Sequence, residues 1–286
     1  MSVPHQDAEA ESSLTHYQRG KQLLRYFVDR CLRDQITVTA GHLAYVSLLS
    51  LVPLLVVTFT IFSAFPVFEG LRENIEQALF ANLLPTSGEQ LRSHLNQFVG
   101  NASKMTAVGI GFLFVVAVML ISAIDKTLNR IFRNHRKRRF TVSFAIYWMI
   151  LTLGPVLIGT GLAATSYLIS LSQYADAYVS GVRSTMLVIV PIVTSFAAFM
   201  LLYIMVPNRI VKIKYAAWGA GLAAILFELS KQGFSLYIKH FPTYQAIYGA
   251  LATIPLLIVW IYLSWIVVLV GAELTISLEE FDHEQD

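Results

Sequence analysis

Six long apolar stretches, separated by loops whose basic residues fall mostly on one side, constrain this chain more than any other feature. A transmembrane helix needs about 20 mostly apolar residues, and each stretch is long enough to supply one. Hydrophobic residues make up 56% of the chain and charged residues only 14%, a balance that suits lipid as a solvent better than water. The sequence therefore predicts an all-α polytopic membrane protein, a six-helix transmembrane bundle. The predicted spans are residues 40–65, 105–124, 142–171, 184–206, 215–238 and 246–272.

The distribution of lysine and arginine predicts how the bundle is oriented. Of the 21 basic residues, fifteen lie in residues 1–39, 125–141 and 207–214, which are the loops on one side of the predicted bundle. Five lie on the other side, and Lys231 lies inside the fifth span. Because the cytoplasmic loops of membrane proteins are enriched in lysine and arginine, the basic side is expected in the cytoplasm. An even number of spans then returns both termini to that side.

The chain divides into a single membrane domain and three smaller parts. Residues 1–16 are polar and are predicted to form a disordered tail, without the pattern of a cleavable signal peptide. Residues 17–38 predict an amphipathic helix on the cytoplasmic side, which either lies on the inner leaflet or packs as a leader into the first span. Residues 39–278 form the membrane domain, and residues 279–286 are an acidic tail.

The one long outer segment, residues 66–104, has apolar residues at helical spacing on both sides of Pro85. This pattern predicts a helical hairpin that covers the outer mouth of the bundle. Ser87 and Gln90 fit a capping box at the start of its second helix. The hairpin either gates a ligand or is a plain structural cover.

Prolines predict kinked helices in four of the spans, since proline removes a backbone hydrogen bond and bends a helix. These are Pro53, Pro155, Pro191 and Pro255, in the first, third, fourth and sixth spans. The distribution matches an inverted repeat of three plus three spans, which slightly favours a transporter.

The fifth span carries the charged pair that we select as the first functional candidate. Glu228 and Lys231 are three residues apart, so they share a helix face, and neither charge is easily exposed to lipid. The pair either lines a substrate pathway or is a structural ion pair that fixes helix packing. Small residues at four-residue spacing, Ala216, Ala220 and Ala224, predict a closely packed face on the same span.

Two polar residues of the first span, His42 and Tyr45, share a face and are candidate partners of that pair. An imidazole there would take part in a proton relay or bind a lipid phosphate. The alternative is a hydrogen bond from His42 to a neighbouring helix near the inner interface.

The cytoplasmic loop after the second span is dense in positive charge and is a candidate site for anionic lipid head groups. Basic loops beside spans are also plain determinants of topology. No nucleic-acid partner is expected, because no aromatic stacking platform accompanies the basic run. The candidate residues are Arg130, Arg133, Arg136, Lys137, Arg138 and Arg139.

The residues give no support for an enzyme. One cysteine, Cys31, excludes an intrachain disulfide and a thiol cluster. The seven histidines show no metal-ligand spacing, and the chain has neither a glycine-rich phosphate loop nor a Gly-x-Ser-x-Gly elbow. We therefore expect no catalytic residues, no metal and no cofactor.

Five stretches, taken in order along the chain, match the motifs of a known family. They are Ala40–Pro53 (AGHLAYVSLLSLVP), Ala123–Phe132 (AIDKTLNRIF), Tyr147–Pro155 (YWMILTLGP), Phe227–Tyr237 (FELSKQGFSLY) and Tyr244–Leu274, which ends in GAEL. Together they resemble the YihY family of bacterial inner-membrane proteins, related to the BrkB virulence-factor group. The resemblance implies six spans in a Gram-negative inner membrane, a periplasmic position for the outer hairpin and an unsettled function. Some relatives carried a ribonuclease label, which the residues here do not support.

The function predicted from these observations is that of a transport-type protein, which moves or accommodates an amphipathic or anionic envelope molecule such as a lipid. Glu228 and Lys231 would supply the polar element, with His42 and Tyr45 as partners. The main alternative is a membrane scaffold that recruits envelope proteins or a second copy of itself. A membrane ribonuclease comes third and is disfavoured.

Overall fold

The computed structural model describes residues 5–64, 107–134, 142–149, 182–240 and 253–283. The regular structure in these residues is helical throughout, so the all-α prediction is confirmed for them. The helices are α1 (His5–Arg33), α2 (Ile36–Ala64), α3 (Ala107–Ile131), α4 (142–149), α5 (Val182–Met205), α6 (Ile213–His240) and α7 (Thr253–His283).

Four of these helices are long and apolar enough to cross a membrane. The qualifying segments are Ile36–Val56, Gly111–Ile131, Val188–Met205 and Ile254–His283, which correspond to the predicted first, second, fourth and sixth spans. Helix α6 coincides with the predicted fifth span but carries more polar residues and is not among the four. The third span is described only at 142–149, and the outer hairpin lies outside the described residues.

Helix α7 is the centre of the bundle. It packs most extensively on α6 on one side and α2 on the other, while α5 adds to α6 and α3 adds to α2. Its first five turns are apolar on all sides, a pattern that favours a helix surrounded by others. Trp260, Leu269 and Ile276 are almost completely buried along its length. Among the described long helices after α1, two pairs, α2 with α3 and α5 with α6, are therefore separated by α7.

Helices α6 and α7 approach each other closely at two glycines. A methyl group on Gly219 would collide with the backbone carbonyl oxygen of Gly271 and with Thr275. A methyl group on Gly271 would lie 2.8 Å from the Cβ atom of Ala223. Small residues allow this approach, as they do between transmembrane helices in general. The predicted small-residue face of the fifth span is confirmed, since its three alanines at 216, 220 and 224 are buried.

The outer surface of the bundle is rich in large apolar side chains, as expected of helices that face acyl chains rather than water. Examples on α3 and α5 are Phe112, Val115, Met119, Val188, Val193 and Leu201. Examples on α6 are Trp218, Ile225 and Leu229. Lipid is therefore a suitable solvent for this surface.

Two predicted domain boundaries differ from the structure. Helix α1 begins at His5, within the stretch that was expected to be disordered, because residues 8–11 are alternating alanine and glutamate with high helix propensity. Helix α7 continues to His283 instead of ending at residue 278, because the glutamates near its end are ion-paired with the bundle.

Two of the four prolines predicted to kink a span lie in the interior of described helices. Pro53 and Pro191 lie inside α2 and α5, as expected. Pro255 lies close to residue 253, where the described part of α7 begins, so a kink at that position stays a prediction. Pro155 lies outside the described residues.

Candidate functional site

The predicted pair on α6 forms a local ion pair. Lys231 Nζ lies 2.6 Å from Glu228 Oε1, and the two side chains are 20% and 17% exposed. Ser195 Oγ of α5 donates a hydrogen bond of 3.3 Å to the same carboxylate oxygen. The ammonium group also lies 5.4 Å from the centre of the Phe227 ring. Each charge thus has a partner, and the pair joins α5 to α6.

The space beside this pair is small. A depression of about 370 Å³ is lined by Lys231, Gln232, Ser235 and Leu236. All four residues belong to α6, so the depression is a surface feature of one helix. A role for the pair in a substrate pathway stays a prediction.

A larger groove of about 900 Å³ lies between α2, α3 and α4. Its lining changes character along α3. The part lined by the N-terminal half of α3 is apolar, and the part lined by the C-terminal turns is polar and basic. The apolar lining residues are Val46, Phe114, Val115, Val118, Met119, Ala123 and Phe144. The polar ones are His42, Ser122, Lys126, Thr127, Arg130, Ser143 and Tyr147.

The basic end of the groove is held in place by hydrogen bonds to neighbouring helices. Arg130 Nη2 donates to Thr39 Oγ1 of α2 at 2.7 Å. Tyr147 of α4 donates to Asp125 Oδ2 at 2.9 Å, and Asn129 donates to Oδ1 of the same carboxylate at 2.9 Å. Asp125 is not part of the groove lining, which contains basic residues and no carboxylate among the described residues. The electrostatic field at this end therefore favours an anion.

Helix α4 closes one side of the groove. Besides the hydrogen bond from Tyr147, the rings of Trp148 and Phe114 have their centres 5.0 Å apart. Several apolar lining residues are nevertheless about half exposed: Val115 (54%), Met119 (60%) and Phe144 (47%). The groove is thus open along its apolar part.

The structure brings together some of the predicted site residues and separates others. His42 and Arg130, predicted for different roles, line the same groove. Tyr45 is 62% exposed and is not part of that lining. Glu228 and Lys231 belong to the α5–α6 side of the bundle, across α7 from α2, so the proposed partnership with His42 and Tyr45 has no contact to support it within the described helices. Residues 136–139 lie outside the described residues.

An ion-pair network at the end of the bundle where α1 packs was not predicted from the sequence. Arg30 is 1% exposed. Its Nε donates to Glu273 Oε2 at 2.8 Å, its Nη2 donates to the backbone oxygen of Ile131 at 3.0 Å, and its Nη1 contacts Glu280. Tyr26 also donates to Glu280, at 2.7 Å. Arg30 therefore connects α1 to both α3 and α7.

A second arginine makes the same kind of connection from the segment between α5 and α6. Arg209 Nη1 donates to the backbone oxygen of Phe132 at 3.1 Å, and its Nη2 lies 2.7 Å from Glu279 Oε2. Two arginines thus satisfy carbonyl groups at the end of α3, where a helix has unpaired acceptors and a partial negative charge. Each arginine is held there by a glutamate of α7.

The end of α3 has an unusual cap. Arg133 has a φ of 52°, and the N–H groups of Arg133 and Asn134 donate to the carbonyls of Arg130 and Asn129 at 3.1 and 2.9 Å. This is the pattern of a Schellman cap, which ordinarily has glycine at the left-handed position. The side chain of Arg133 pairs with Asp34 at 3.0 Å. An arginine predicted to bind head groups therefore has a partner within the chain.

One sequence signal could have indicated this network. Glu273, Glu279 and Glu280 follow the most apolar part of the last span, on the side where the basic loops are expected. Acidic residues that lie on the same side of the membrane as basic loops are close enough to form ion pairs with them. The described residues contain no cluster of histidine, cysteine or acidic residues that would hold a metal ion.

Comparison with known proteins gives the family. Residues 27–286 match the family described as Virulence factor BrkB. The chain is 71% identical to a UPF0761 membrane protein of Idiomarina loihiensis, over 92% of each chain. Proteins of the same name are 58% identical in Pseudoalteromonas atlantica, over 92% of this chain and 87% of the relative, and 50% identical in Aliivibrio fischeri, over 95% and 88%. No solved structure matches the chain.

These names describe membrane proteins and a virulence factor, and none describes an enzyme. The match covers the groove, the charged pair on α6 and the arginine network, since all of their described residues except Tyr26 lie within 27–286. The resemblance to the YihY family is therefore confirmed, and the chain belongs to the virulence factor BrkB (YihY) family of membrane proteins.

Proposed function

We propose that this protein accommodates, and moves within the membrane, an anionic lipid of the bacterial envelope, which it binds in the groove between α2, α3 and α4. In this proposal the chain has six spans in the inner membrane, with both termini in the cytoplasm. The observation that supports it best is the segregated lining of the groove, which is apolar along one part and basic at the other. An amphipathic anion has a matching division into an apolar part and a negatively charged part.

The position of the basic end fits a lipid of the inner leaflet. His42 lies near the start of α2 and Arg130 near the end of α3, and both helix ends belong to the side rich in lysine and arginine. Positive side chains at that depth attract anionic head groups. The apolar part of the groove extends from there toward the middle of α3, where acyl chains lie.

The open apolar side gives the ligand a route of entry. Val115, Met119 and Phe144 line the groove and are also exposed on the surface of the bundle. A lipid is therefore able to enter sideways from the bilayer without passing through water. This avoids exposing its acyl chains, a step that would cost about 0.8 kcal/mol per CH₂ group.

A binding experiment tests the head-group end. The probes are phosphatidylglycerol and phosphatidylcholine with the same acyl chains, titrated into purified protein and counted by native mass spectrometry. We expect a preference for phosphatidylglycerol that Lys126→Gln with Arg130→Gln lowers about tenfold or more. That figure corresponds to the loss of one or two charge-assisted hydrogen bonds.

The matched control removes two charges from the same side of the membrane. Lys212→Gln with Lys214→Gln changes exposed lysines at the start of α6, away from the groove. Thr39→Val removes the anchor of Arg130 without removing its charge. If both double variants lower the preference equally, or if the native protein shows no preference, the groove is not a lipid site and the scaffold alternative is favoured.

A further inference from the structure

Helix α1 has one face fixed to the bundle. Tyr26 and Arg30 are one turn apart, and both contact Glu280 of α7. Arg30 also reaches Glu273 and the end of α3. These contacts fix the rotation of α1 about its own axis, so the identity of the opposite face follows from the sequence.

The opposite face carries an apolar stripe. Leu24, Val28 and Leu32 are spaced four residues apart, so they form a line along the helix. They are 62%, 45% and 72% exposed. Three large aliphatic side chains in a row on a soluble surface would be unusual, and such a patch indicates a partner.

Basic residues accompany the stripe. Lys21 and Arg25 lie on the same side of α1 as Leu24 and Val28, and both are exposed. A helix that combines an apolar line with lysine and arginine is typical of binding to an anionic membrane surface. The positive charge of this face therefore favours an anionic leaflet over a neutral apolar partner.

The connection to α2 places α1 beside the membrane. Only Asp34 and Gln35 separate the two helices, and Gln35 has a left-handed φ of 49°. Val38, in the first turn of α2, is 67% exposed and lies close in sequence to the end of the stripe. Because α2 enters the membrane within a few residues of this turn, the C-terminal end of α1 lies at the level of the inner head groups.

We infer that the face of α1 formed by Lys21, Leu24, Arg25, Val28 and Leu32 binds the anionic inner leaflet. The leaflet is the occupant because it is the apolar and negatively charged surface that lies next to the turn at Gln35. The inference does not depend on lipid binding in the groove between α2, α3 and α4. It adds a second membrane contact, on the face of α1 opposite Arg30.

The test uses the full chain with Cys31→Ser, reconstituted in vesicles and labelled at a single cysteine with an environment-sensitive fluorophore. One label replaces Val28, in the stripe. The matched control replaces Gln22, which is also exposed on α1 and lies about 120° away around the helix. We expect a blue-shifted emission at position 28, quenched by nitroxide-labelled lipid, and neither effect at position 22.

A second arm tests the charge. In vesicles with phosphatidylglycerol, Arg25→Gln should reduce the quenching at position 28 at least twofold relative to Arg33→Gln, which removes an exposed arginine outside the stripe. In phosphatidylcholine alone the two variants should be equal. The inference is overturned if positions 22 and 28 are equally exposed to water. Shielding that rises with protein density and is insensitive to lipid nitroxides would also overturn it, because a second copy of the chain would then cover the stripe.

Discussion

The charged pair on α6 and the arginine network that joins α1, α3 and α7 are both largely buried, yet they are built in opposite ways. Glu228 and Lys231 are three residues apart on one helix, and the pair contacts one other helix through Ser195. Arg30 and Glu273 are 243 residues apart, and Arg30 contacts two further helices besides its own. The first region stabilises a local packing contact, whereas the second holds distant parts of the chain together. Stability should therefore depend much more on the second.

The largest expected effect is that of removing Arg30. Arg30→Met would leave Glu273 buried without its cation and the carbonyl of Ile131 without its donor. Breaking a buried pair from one side costs about 3–5 kcal/mol. We expect a large fall in the thermal unfolding midpoint of the purified protein, measured in detergent by static light scattering or tryptophan fluorescence.

Two further variants make this prediction specific. Arg33→Met removes an exposed arginine of the same helix and should change the midpoint little. Arg30→Met combined with Glu273→Met should recover part of the loss, because replacing both members of a buried pair is often tolerated. If Arg30→Met and Arg33→Met are equally stable, the network is not what holds α1, α3 and α7 together.

The next effect concerns the close contact between α6 and α7. Gly219→Ala would place a methyl group against the carbonyl of Gly271 and should destabilise by about 1–3 kcal/mol, the usual cost of overpacking. Gly221→Ala on the same helix meets nothing within 4 Å, and its higher helix propensity should stabilise by up to about 1 kcal/mol. Opposite signs for two neighbouring substitutions of the same type are expected in the unfolding midpoint. Equal signs would mean that the close approach is not maintained in solution.

A smaller effect is expected at the charged pair itself. Glu228→Gln leaves Lys231 without its counter-ion and should destabilise by about 1–2 kcal/mol, less than Arg30→Met because the pair is partly exposed. Glu228→Gln with Lys231→Met should be within about 1 kcal/mol of the native protein. A double-mutant cycle on the unfolding midpoint measures the coupling. If the stable double variant also loses lipid movement in vesicles, the pair belongs to a pathway after all and the comparison drawn above needs revision.

What could be predicted from the sequence was largely what is encoded within about twenty residues. The apolar length of α2, the alanines at 216 and 220, and the spacing of Glu228 and Lys231 each determine a local structure directly. The close contact of Gly271 on α7 with Gly219 and Ala223 on α6 could not be identified, because these residues lie about 50 positions apart in the sequence. Periodicity indicates which face is buried, but not against which residue.

The groove and the network show why the remaining part of the site was missed. His42 and Arg130 were assigned to different roles because nothing in a single sequence shows that α2 and α3 place them together. Glu279 was assigned to an acidic tail because a charged end after a span resembles a solvated terminus, whereas Arg209 binds it. Long-range ion pairs have no local pattern, so their partners emerge only from the packing of the helices.

The smallest effect is kinetic and concerns the neighbour of Arg30. Burial raises the pKa of the Cys31 thiol to about 12, so at pH 8 the thiolate should be on the order of 10³-fold scarcer than in a thiol at the ordinary value of 9.0. Maleimide labelling of the native protein should accordingly be slow, and its rate should rise with pH up to the raised pKa. Arg30→Met should speed the reaction at pH 8 if the network holds α1 against the bundle, because release of α1 would expose the thiol. The charged pair on α6 supplies the matched comparison: Glu228→Gln with Lys231→Met should leave the rate unchanged, since the pair binds Ser195 of α5, whereas Cys31 lies on α1, which packs on α7. A faster rate in both variants would show that α1 responds to general loosening of the fold, and the arginine network would lose its special role in holding the helix.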